Sequence, residues 1–129
     1  MVKILPILED IEDVINRVNI FKKIYIGKPK GVERSGNTPF AMIILEQINH
    51  QGAMINLIIQ IVIVFDIKND TKKLYDEFLE ADYIIKEELL KLPYKVEIED
   101  TFLDEDRLET LKAGVIRFKI SDLIEFKWK

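Results

Sequence analysis

Residues 57–67 read LIIQIVIVFDI, and this stretch decides the fold because it is too apolar on both faces to be a strand with one side in water. Its odd-numbered positions are all hydrophobic, while Ile58, Val62 and Val64 interrupt the row that alternation would make polar. The second face therefore needs a cover. That cover is the rest of the chain, through its C-terminal strands or first helix, or another copy of the protein, or a partner protein.

The composition is that of one globular domain. The chain has 129 residues, of which 48% are hydrophobic and 33% charged, with a formal net charge of −4, so no broadly basic surface favours nucleic acid. The absence of cysteine excludes disulfides and thiolate zinc sites, and the lone His50 excludes any site that needs two histidines. Four acids within residues 9–13 interrupt any apolar signal segment, so we expect a protein that stays in the cell that makes it and binds no membrane.

The first half of the chain predicts a helix followed by three strands. Apolar residues from Ile4 to Val18 fall on one helical stripe, and residues 20–26 alternate as a short strand. Glycines and prolines then mark a loop over residues 27–39. Residues 40–48 and 57–67 predict a hairpin that turns over residues 49–52.

The second half predicts one long helix and two or three strands. N-cap candidates at residues 69–71 precede a helical apolar spacing that Pro93 ends. Alternation over residues 94–98, 116–120 and 124–128 indicates strands. The order α-β-β-β-α-β-β predicts a single α+β domain, with a mostly antiparallel sheet and both helices packed on one face.

Two stretches resemble sites with chemistry. Residues 31–38 nearly match a phosphate-binding loop, but Asn37 replaces the required lysine and a strand follows instead of a helix. Asp104 and Asp106 belong to an acidic stretch whose spacing matches no calcium loop, so a solvated loop is the simpler interpretation. His50 has no partner for a catalytic relay and is interpreted as a surface residue. We expect no cofactor and no metal site.

A metal-dependent nuclease is the sharpest enzyme hypothesis. Asp66 and Lys68 resemble the acid-x-Lys element of the restriction-endonuclease-like family, in which a second acid on the preceding strand helps to hold magnesium. Glu46 is the acid within that strand. With a turn near His50, however, Glu46 pairs near Met54, about 40 Å from Asp66. The chain order favours this hypothesis and the expected geometry opposes it.

The segments IYIGKP, TPFAMIILEQ, IVIVFDIKNDTKKLYDEFLEA and KAGVIRFKI, in this order, resemble the small tail-terminator or tail-completion proteins of tailed bacteriophages. The resemblance covers nearly the whole chain as a pattern of elements and includes no diagnostic motif. It implies a non-enzymatic structural protein that forms a ring, commonly a hexamer, capping the tail tube and offering a docking surface to the head connector. A generic intracellular adaptor domain is the third hypothesis.

Under the resemblance, candidate contacts fall into three groups. Apolar candidates lie on the hairpin, and charged candidates lie in the loop over residues 27–38 and in the acidic stretch over residues 100–109. The choice of the hairpin candidates rests on the assumption that Ala41 and its row lie on the second face, together with the β-branched residues of the next strand. The candidates are Lys28, Lys30, Arg34, Ile43, Leu45, Ile58, Val62, Val64, Asp104 and Asp106.

Overall fold

The computed structural model describes residues 4–32, 36, 38–66, 71–103 and 111–123, and it confirms the α+β class. Helices and strands follow one another in the predicted order. Their bounds are α1 Ile4–Val18, β1 Lys23–Ile26, β2 Phe40–Gln51, β3 Met54–Asp66, α2 Thr71–Leu89, β4 Lys95–Leu103 and β5 Leu111–Leu123. The alternation predicted over residues 124–128 lies outside the described residues.

The strands form one mixed sheet in the order β1-β2-β3-β5-β4. The pairs β2–β3, β3–β5 and β5–β4 are antiparallel, as predicted, whereas β1 runs parallel to β2. A parallel pair requires a crossover connection, and here residues 27–39 supply it. We call these residues the crossover segment. The predicted hairpin is confirmed, but its turn lies at Gly52 and Ala53, where Gly52 takes a φ of 59° that favours glycine.

Helix α1 buries the apolar stripe that its sequence predicts. Its buried residues are Ile7, Leu8, Ile11, Val14 and Ile15. The helix ends at Asn19, which adopts a φ of 58° and donates its amide to the carbonyl of Asn16 at 3.2 Å. Asparagine tolerates this left-handed conformation better than most side chains, so it serves as a helix stop.

Both helices pack on the same face of the sheet, as predicted. The core between them takes the odd-numbered row of β3, alternate residues of β2 and β5, and the inner stripes of α1 and α2. Its largest fully buried side chains include Ile11, Ile15, Ile43, Leu57, Ile59, Ile61, Ile63, Ile85, Leu89 and Phe118. Each such side chain contributes roughly 1.5–3 kcal/mol relative to exposure, so this face carries most of the burial energy.

Helix α2 approaches the sheet most closely over Gly114 of β5. A Cβ atom built at Gly114 would overlap the ring of Phe78. Glycine is therefore required here, within β5, for the close approach of the helix. The contact fixes the first half of α2 above the junction of β3, β5 and β4, because Gly114 pairs with Ile63 and Leu103.

A β-bulge at Glu46 sets the orientation of β2. On the turn side of the bulge Gln47 lies opposite Ile58, and on the other side Leu45 lies opposite Ile59. Glu46 is thus an extra residue in the ladder. An extra residue reverses which face the following side chains occupy, so the two halves of β2 have opposite parity.

The bulge overturns the predicted grouping of hairpin residues. Without it, the register at the turn would place Ile43 opposite Val62, on the second face. With it, Ala41, Ile43 and Leu45 belong to the core beneath the helices, while Val62 and Val64 lie on the opposite face. The assignment of Ile43 and Leu45 to the second face is therefore wrong, because that stretch is apolar on both rows and gives no sign of the bulge.

The second face is covered within the chain where it is apolar. Val32 of the crossover segment packs in a small core formed by Phe40, Met42, Val62, Val64, Ala113 and Val115. These residues are at most 2% exposed in the single chain. The ring of Tyr25 extends this core, with its centroid 5.7 Å from that of Phe40 in an edge-to-face arrangement. The cover of the second face therefore comes from the chain itself. Among the described residues, the crossover segment provides it.

Candidate interaction surfaces

The predicted charged contacts are only partly described by the structure. Lys28 and Lys30 lie exposed on the crossover segment. Arg34, Asp104 and Asp106 lie outside the described residues. The predicted interaction role of Lys28 and Lys30 is thus compatible with their position on the surface.

The predicted apolar contacts lie inside the subunit. Ile43, Val62 and Val64 have no exposed surface, and Ile58 is 6% exposed. Leu45 is half-buried and packs against the core beneath the helices. Side chains enclosed within one chain offer no surface to a second chain, so the hairpin is a folding core and its prediction as an interface is corrected.

The nuclease candidates do not form a described cluster. Asp66 is the last residue of β3 and pairs with Leu111, while Lys68 lies outside the described residues. Glu46 is the extra residue beside Leu45, which lies opposite Ile59, seven residues from Asp66, so about 23 Å separates Glu46 from Asp66 rather than the predicted 40 Å. In the ranges that the structure describes, no group of three His, Cys, Asp or Glu residues is arranged to hold a metal ion.

The second face of the sheet becomes charged beyond its apolar part. Arg117 of β5 lies between two bulged strands, because β4 has a bulge at Glu99 that matches the one at Glu46. The Nε of Arg117 donates to Glu46 at 2.8 Å, and its Nη1 lies 3.7 Å from both Glu99 and Asp100. The hydrogen bond that Arg117 donates to Glu46 is the main cause that raises the pKa of Arg117 above its ordinary value. Arg117 is thereby paired with acids on both sides, from the adjacent β4 and, across β3, from β2.

A second charged row follows Arg117 toward the hairpin turn. Lys119 lies 3.1 Å from Glu97, and Lys95 lies 3.4 Å from the same carboxylate. The hydrogen bond from Lys119 is the main cause that lowers the pKa of Glu97. These ion pairs lie at the surface, so we interpret this half of the second face as solvated. The apolar core of the second face lies in its other half.

Two partly buried polar contacts tie the helices to the rest of the molecule. The hydroxyl of Tyr94 donates to Asp10 of α1 at 2.7 Å, and burial, followed by this bond, raises the pKa of Tyr94 to about 12. Asp82 of α2 lies 3.0 Å from Lys86 and accepts from the hydroxyl of Thr101 at 3.2 Å. Each group has its partner within the fold, so both contacts serve as fastenings between elements.

Cavities at the edge of the helix layer are shallow and mixed in character. One of about 280 Å³ is lined by α1 and the segment that leads into β1, including Glu12, Asp13 and Lys22. Another of about 410 Å³ lies between α2 and the start of β2, with Glu80 and Ile84 among its lining residues. Acid and base are present in the first, but neither cavity contains a nucleophile with a base beside it.

The most prominent surface feature is an apolar stripe on α2. Tyr75, Leu79 and Tyr83 follow one another at intervals of four residues, and Leu90 continues their row after the helix ends. Leu79, Tyr83 and Leu90 are each about two thirds exposed, and Tyr75 is 43% exposed. We call these four residues the α2 stripe. It faces away from the core that Phe78, Ile85 and the other inner residues of α2 form.

The sequence contains a signal for the α2 stripe, namely a second row of apolar residues on the same helix. A helix whose buried positions are Phe78, Ala81, Ile85 and Leu89 should carry polar residues elsewhere, yet large apolar side chains occupy a second row. Attention to apolar residues left over after the core is assigned would have found the stripe. The hairpin was favoured instead because it is the most hydrophobic segment of the chain.

Comparisons with known proteins identify no relative: no family model matches the chain, and no curated protein is significantly similar to it. Among the described residues, neither α1 nor α2 combines the length and apolarity that crossing a bilayer requires.

Proposed function

We propose that this chain is a structural protein of the tail-terminator or tail-completion type, which assembles as a ring at the tail end of a bacteriophage and joins the tail to the head. It would be made in the cytoplasm of the bacterial host and become part of the virion tail. Its partners would be its own copies, the tail tube protein and the head connector. The mechanism is geometric and uses no cofactor, nucleic acid or membrane.

The observation that carries the proposal is the exposed α2 stripe. Soluble monomers rarely expose rows of large apolar side chains, and such rows mark contact surfaces. Tyrosine is enriched at interfaces because its ring buries a large area while its hydroxyl tolerates water. Tyr75 and Tyr83 have this character, and two exposed leucines accompany them. A protein that acts by assembly requires such a surface, and a small hydrolase does not.

The pairing of polar groups also supports an assembly function. Arg117, Asp82 and Tyr94 each have a hydrogen-bond partner within the fold. A general acid or base needs a reacting atom in front of it, and each of these groups instead contacts a partner within the fold. The described surface is therefore better suited to binding than to catalysis.

Electron microscopy with tail tubes tests the proposal. The purified chain is mixed with tubes assembled from the tail tube protein of the same genome, and the tube ends are imaged. We expect ring-shaped density on one end of each tube and tubes that no longer elongate. Tubes that remain bare and continue to elongate at excess protein would overturn the proposal and leave the generic adaptor as the better hypothesis.

A cleavage assay tests the competing nuclease hypothesis, which the position of Asp66 at the end of the central strand favours. Plasmid DNA is incubated with magnesium or manganese and either the wild-type chain or Asp66→Ala. The assembly proposal predicts intact plasmid in both cases. Cleavage by wild type that Asp66→Ala abolishes would show metal-dependent chemistry at Asp66 and would contradict a purely structural role.

A further inference from the structure

We infer that the α2 stripe docks on the opposite end of a second copy of this chain, at a basic surface around β1, so that copies join head to tail. The inference deepens the proposed ring assembly and rests on it. The β1 surface is defined by four exposed lysines and two exposed isoleucines: Lys22, Lys23, Lys28, Lys30, Ile26 and Ile48.

The α2 stripe lies toward the β4 end of the sheet. On one side of the stripe, Asp82 reaches across to Thr101 of β4 at 3.2 Å. On the other side, Glu80 and Ile84 line the cavity beside Ile20, which precedes β1. Because neighbouring positions on a helix turn by 100°, the stripe occupies the upper surface on the β4 side of α2.

The region around the stripe is acidic. Residues 75–91, which contain most of α2 and the residues that follow it, carry six acids and two lysines: Asp76, Glu77, Glu80, Asp82, Glu87 and Glu88 against Lys86 and Lys91. Asp76, Glu80 and Glu87 are exposed along one flank of the stripe. A partner for this surface needs apolar groups with positive charge beside them.

The β1 surface has the complementary character. Residues 19–32 carry four exposed lysines and no acid. Lys22 and Lys23 line a cavity together with Glu12 and Asp13 of α1, so the positive charge offered to a partner is mainly that of Lys28 and Lys30. Ile26 is 36% exposed at the end of β1, and Ile48 is 41% exposed on the part of β2 that extends beyond β1. Exposed apolar side chains and positive charge therefore occur together at this end of the sheet.

The positions of the two surfaces lead to a head-to-tail arrangement. β1 and β4 are the opposite ends of the strand order, so the surfaces do not compete within one subunit. Contact between two different surfaces of identical chains is heterologous, and it closes into a ring when the rotation between copies permits. A second copy is favoured over an unrelated partner because the chain itself supplies both the acidic apolar surface and the basic one.

Disulfide trapping between two single-cysteine variants tests the contact. The chain contains no cysteine, so Leu79→Cys on one copy and Ile26→Cys on another are the only thiols in the mixture. Leu79→Cys with Met54→Cys is the matched control, because Met54 has the same 36% exposure as Ile26 but lies beside the hairpin turn. We expect the Leu79–Ile26 pair to form disulfides at least about tenfold faster, since a docked pair reacts at an effective concentration in the millimolar range.

Charge exchange gives an independent readout. Asp76→Lys with Glu80→Lys makes both surfaces basic, and Lys28→Glu with Lys30→Glu makes both acidic, so each double variant alone should lose self-association. An equimolar mixture restores one opposite-charge contact of each kind and should regain the wild-type mass in sedimentation velocity. Leu79→Lys should also abolish association, while Leu5→Lys, which alters an exposed leucine on α1, should not.

The outcomes separate this inference from the proposed function. Equal trapping rates for the two cysteine pairs, faster trapping of Leu79→Cys with itself, or no association at any concentration would each overturn the head-to-tail contact. Rings on tail tubes that survive Leu79→Lys would overturn this contact alone and leave the tail function in place. Failure to bind tubes would overturn the function whatever the trapping shows.

Discussion

The two faces of the sheet are closed by different means. The helix-bearing face is apolar along its length and is covered by α1 and α2, whereas the second face is apolar at Ile58 and again around Phe40, Val62 and Val115. There the crossover segment covers it with Val32, and beyond Gln60 the face becomes a charged surface around Arg117. A strand that is apolar on both rows therefore does not require a partner chain, because a short segment of the same chain can help to close the second side through a residue such as Val32.

This comparison moves the expected contact surface from the hairpin to α2. The hairpin is the most hydrophobic part of the sequence, but its apolar side chains are buried within the folded chain. The α2 stripe is less hydrophobic on average, because acids surround it, and it remains exposed. Surface that is left over after folding is a better indicator of association than total hydrophobicity.

The largest effect should come from placing a charge in the small core of the second face. Val62→Asp puts an unpartnered carboxylate where no side-chain surface is exposed, and we expect a loss of roughly 3–5 kcal/mol in the free energy of unfolding. Urea denaturation at several protein concentrations measures it. Gln51→Asp, at the exposed end of β2, is the control and should change stability little.

The same variant can break the comparison. If the second face is closed by another copy rather than by the crossover segment, Val62→Asp will yield a folded monomer with near-normal stability. In that case the burial of Val62 within one chain would be irrelevant in solution. A destabilised chain at every concentration supports closure within the subunit.

On the helix-bearing face, Gly114→Ala should cost about 1–3 kcal/mol, because the new methyl group meets the ring of Phe78 and forces the helix away from β5. A double-mutant cycle with Phe78→Ala checks this origin. The two substitutions together should cost less than their separate effects predict, since the truncated side chain makes room for the methyl group. Strict additivity would show that the close approach of α2 is not the constraint on residue 114.

The cover of the second face can be weakened more gently. Val32→Ala removes two methyl groups from the side chain that the crossover segment buries, and we expect a loss of about 1.5 kcal/mol at roughly 0.8 kcal/mol for each buried carbon. Thermal unfolding measures the effect. Lys30→Ala in the same segment is exposed and should change the unfolding temperature little, which separates burial from a general effect of altering the segment.

The order of elements could be predicted from the sequence, whereas their pairing could not. Periodicity located α1, α2 and the hairpin, because one buried face imposes a repeat of 3.6 or 2 residues. The parallel pairing of β1 with β2 leaves no such repeat in the sequence. A four-residue strand has the same pattern whether it pairs parallel or antiparallel. The bulge at Glu46 could not be predicted either. Residues 40–45 are apolar on both alternating rows, so the register with the bulge and the register without it fit the sequence equally well.

The exposure of the candidate contact residues was predicted in part. Lys28 and Lys30 were identified correctly as exposed charges, because loops with lysine and proline rarely enter a core. The hairpin residues were wrongly assigned to an interface. Hydrophobicity in the sequence shows that a side chain prefers burial, but it does not show whether the fold of the single chain already buries that side chain. Tyr83 and Leu79 could be identified as surface residues only after Phe78 and Ile85 were placed inside.

A smaller effect is expected at the fastening between α1 and the start of β4. Tyr94→Phe removes the hydrogen bond to Asp10 and should cost about 0.5–1.5 kcal/mol at neutral pH. Because the folded-state pKa of Tyr94 is raised to about 12 from 10.0, its contribution is complete below pH 10 and is lost as the pH rises toward 12. The unfolding free energy of wild type should therefore fall more steeply than that of Tyr94→Phe between pH 10 and 12, and parallel curves would contradict this assignment.

The smallest effect should come from the charged part of the second face. Arg117→Gln leaves Glu46, Glu99 and Asp100 without their shared cation, so the unfolding temperature should fall slightly at low ionic strength. The difference from wild type should vanish near 1 M salt, where the Debye length is about 3 Å. A difference that persists at high salt would indicate that Arg117 acts through packing instead.

The mass of the intact chain in solution tests the central claim, that this protein acts by assembly through surface left exposed after folding. Sedimentation velocity over a wide concentration range should give a closed oligomer with a fixed number of 15.2 kDa subunits, which Leu79→Lys converts to monomer without unfolding it. A wild-type chain that sediments as a 15.2 kDa monomer at every concentration, identically to Leu79→Lys, would contradict the claim.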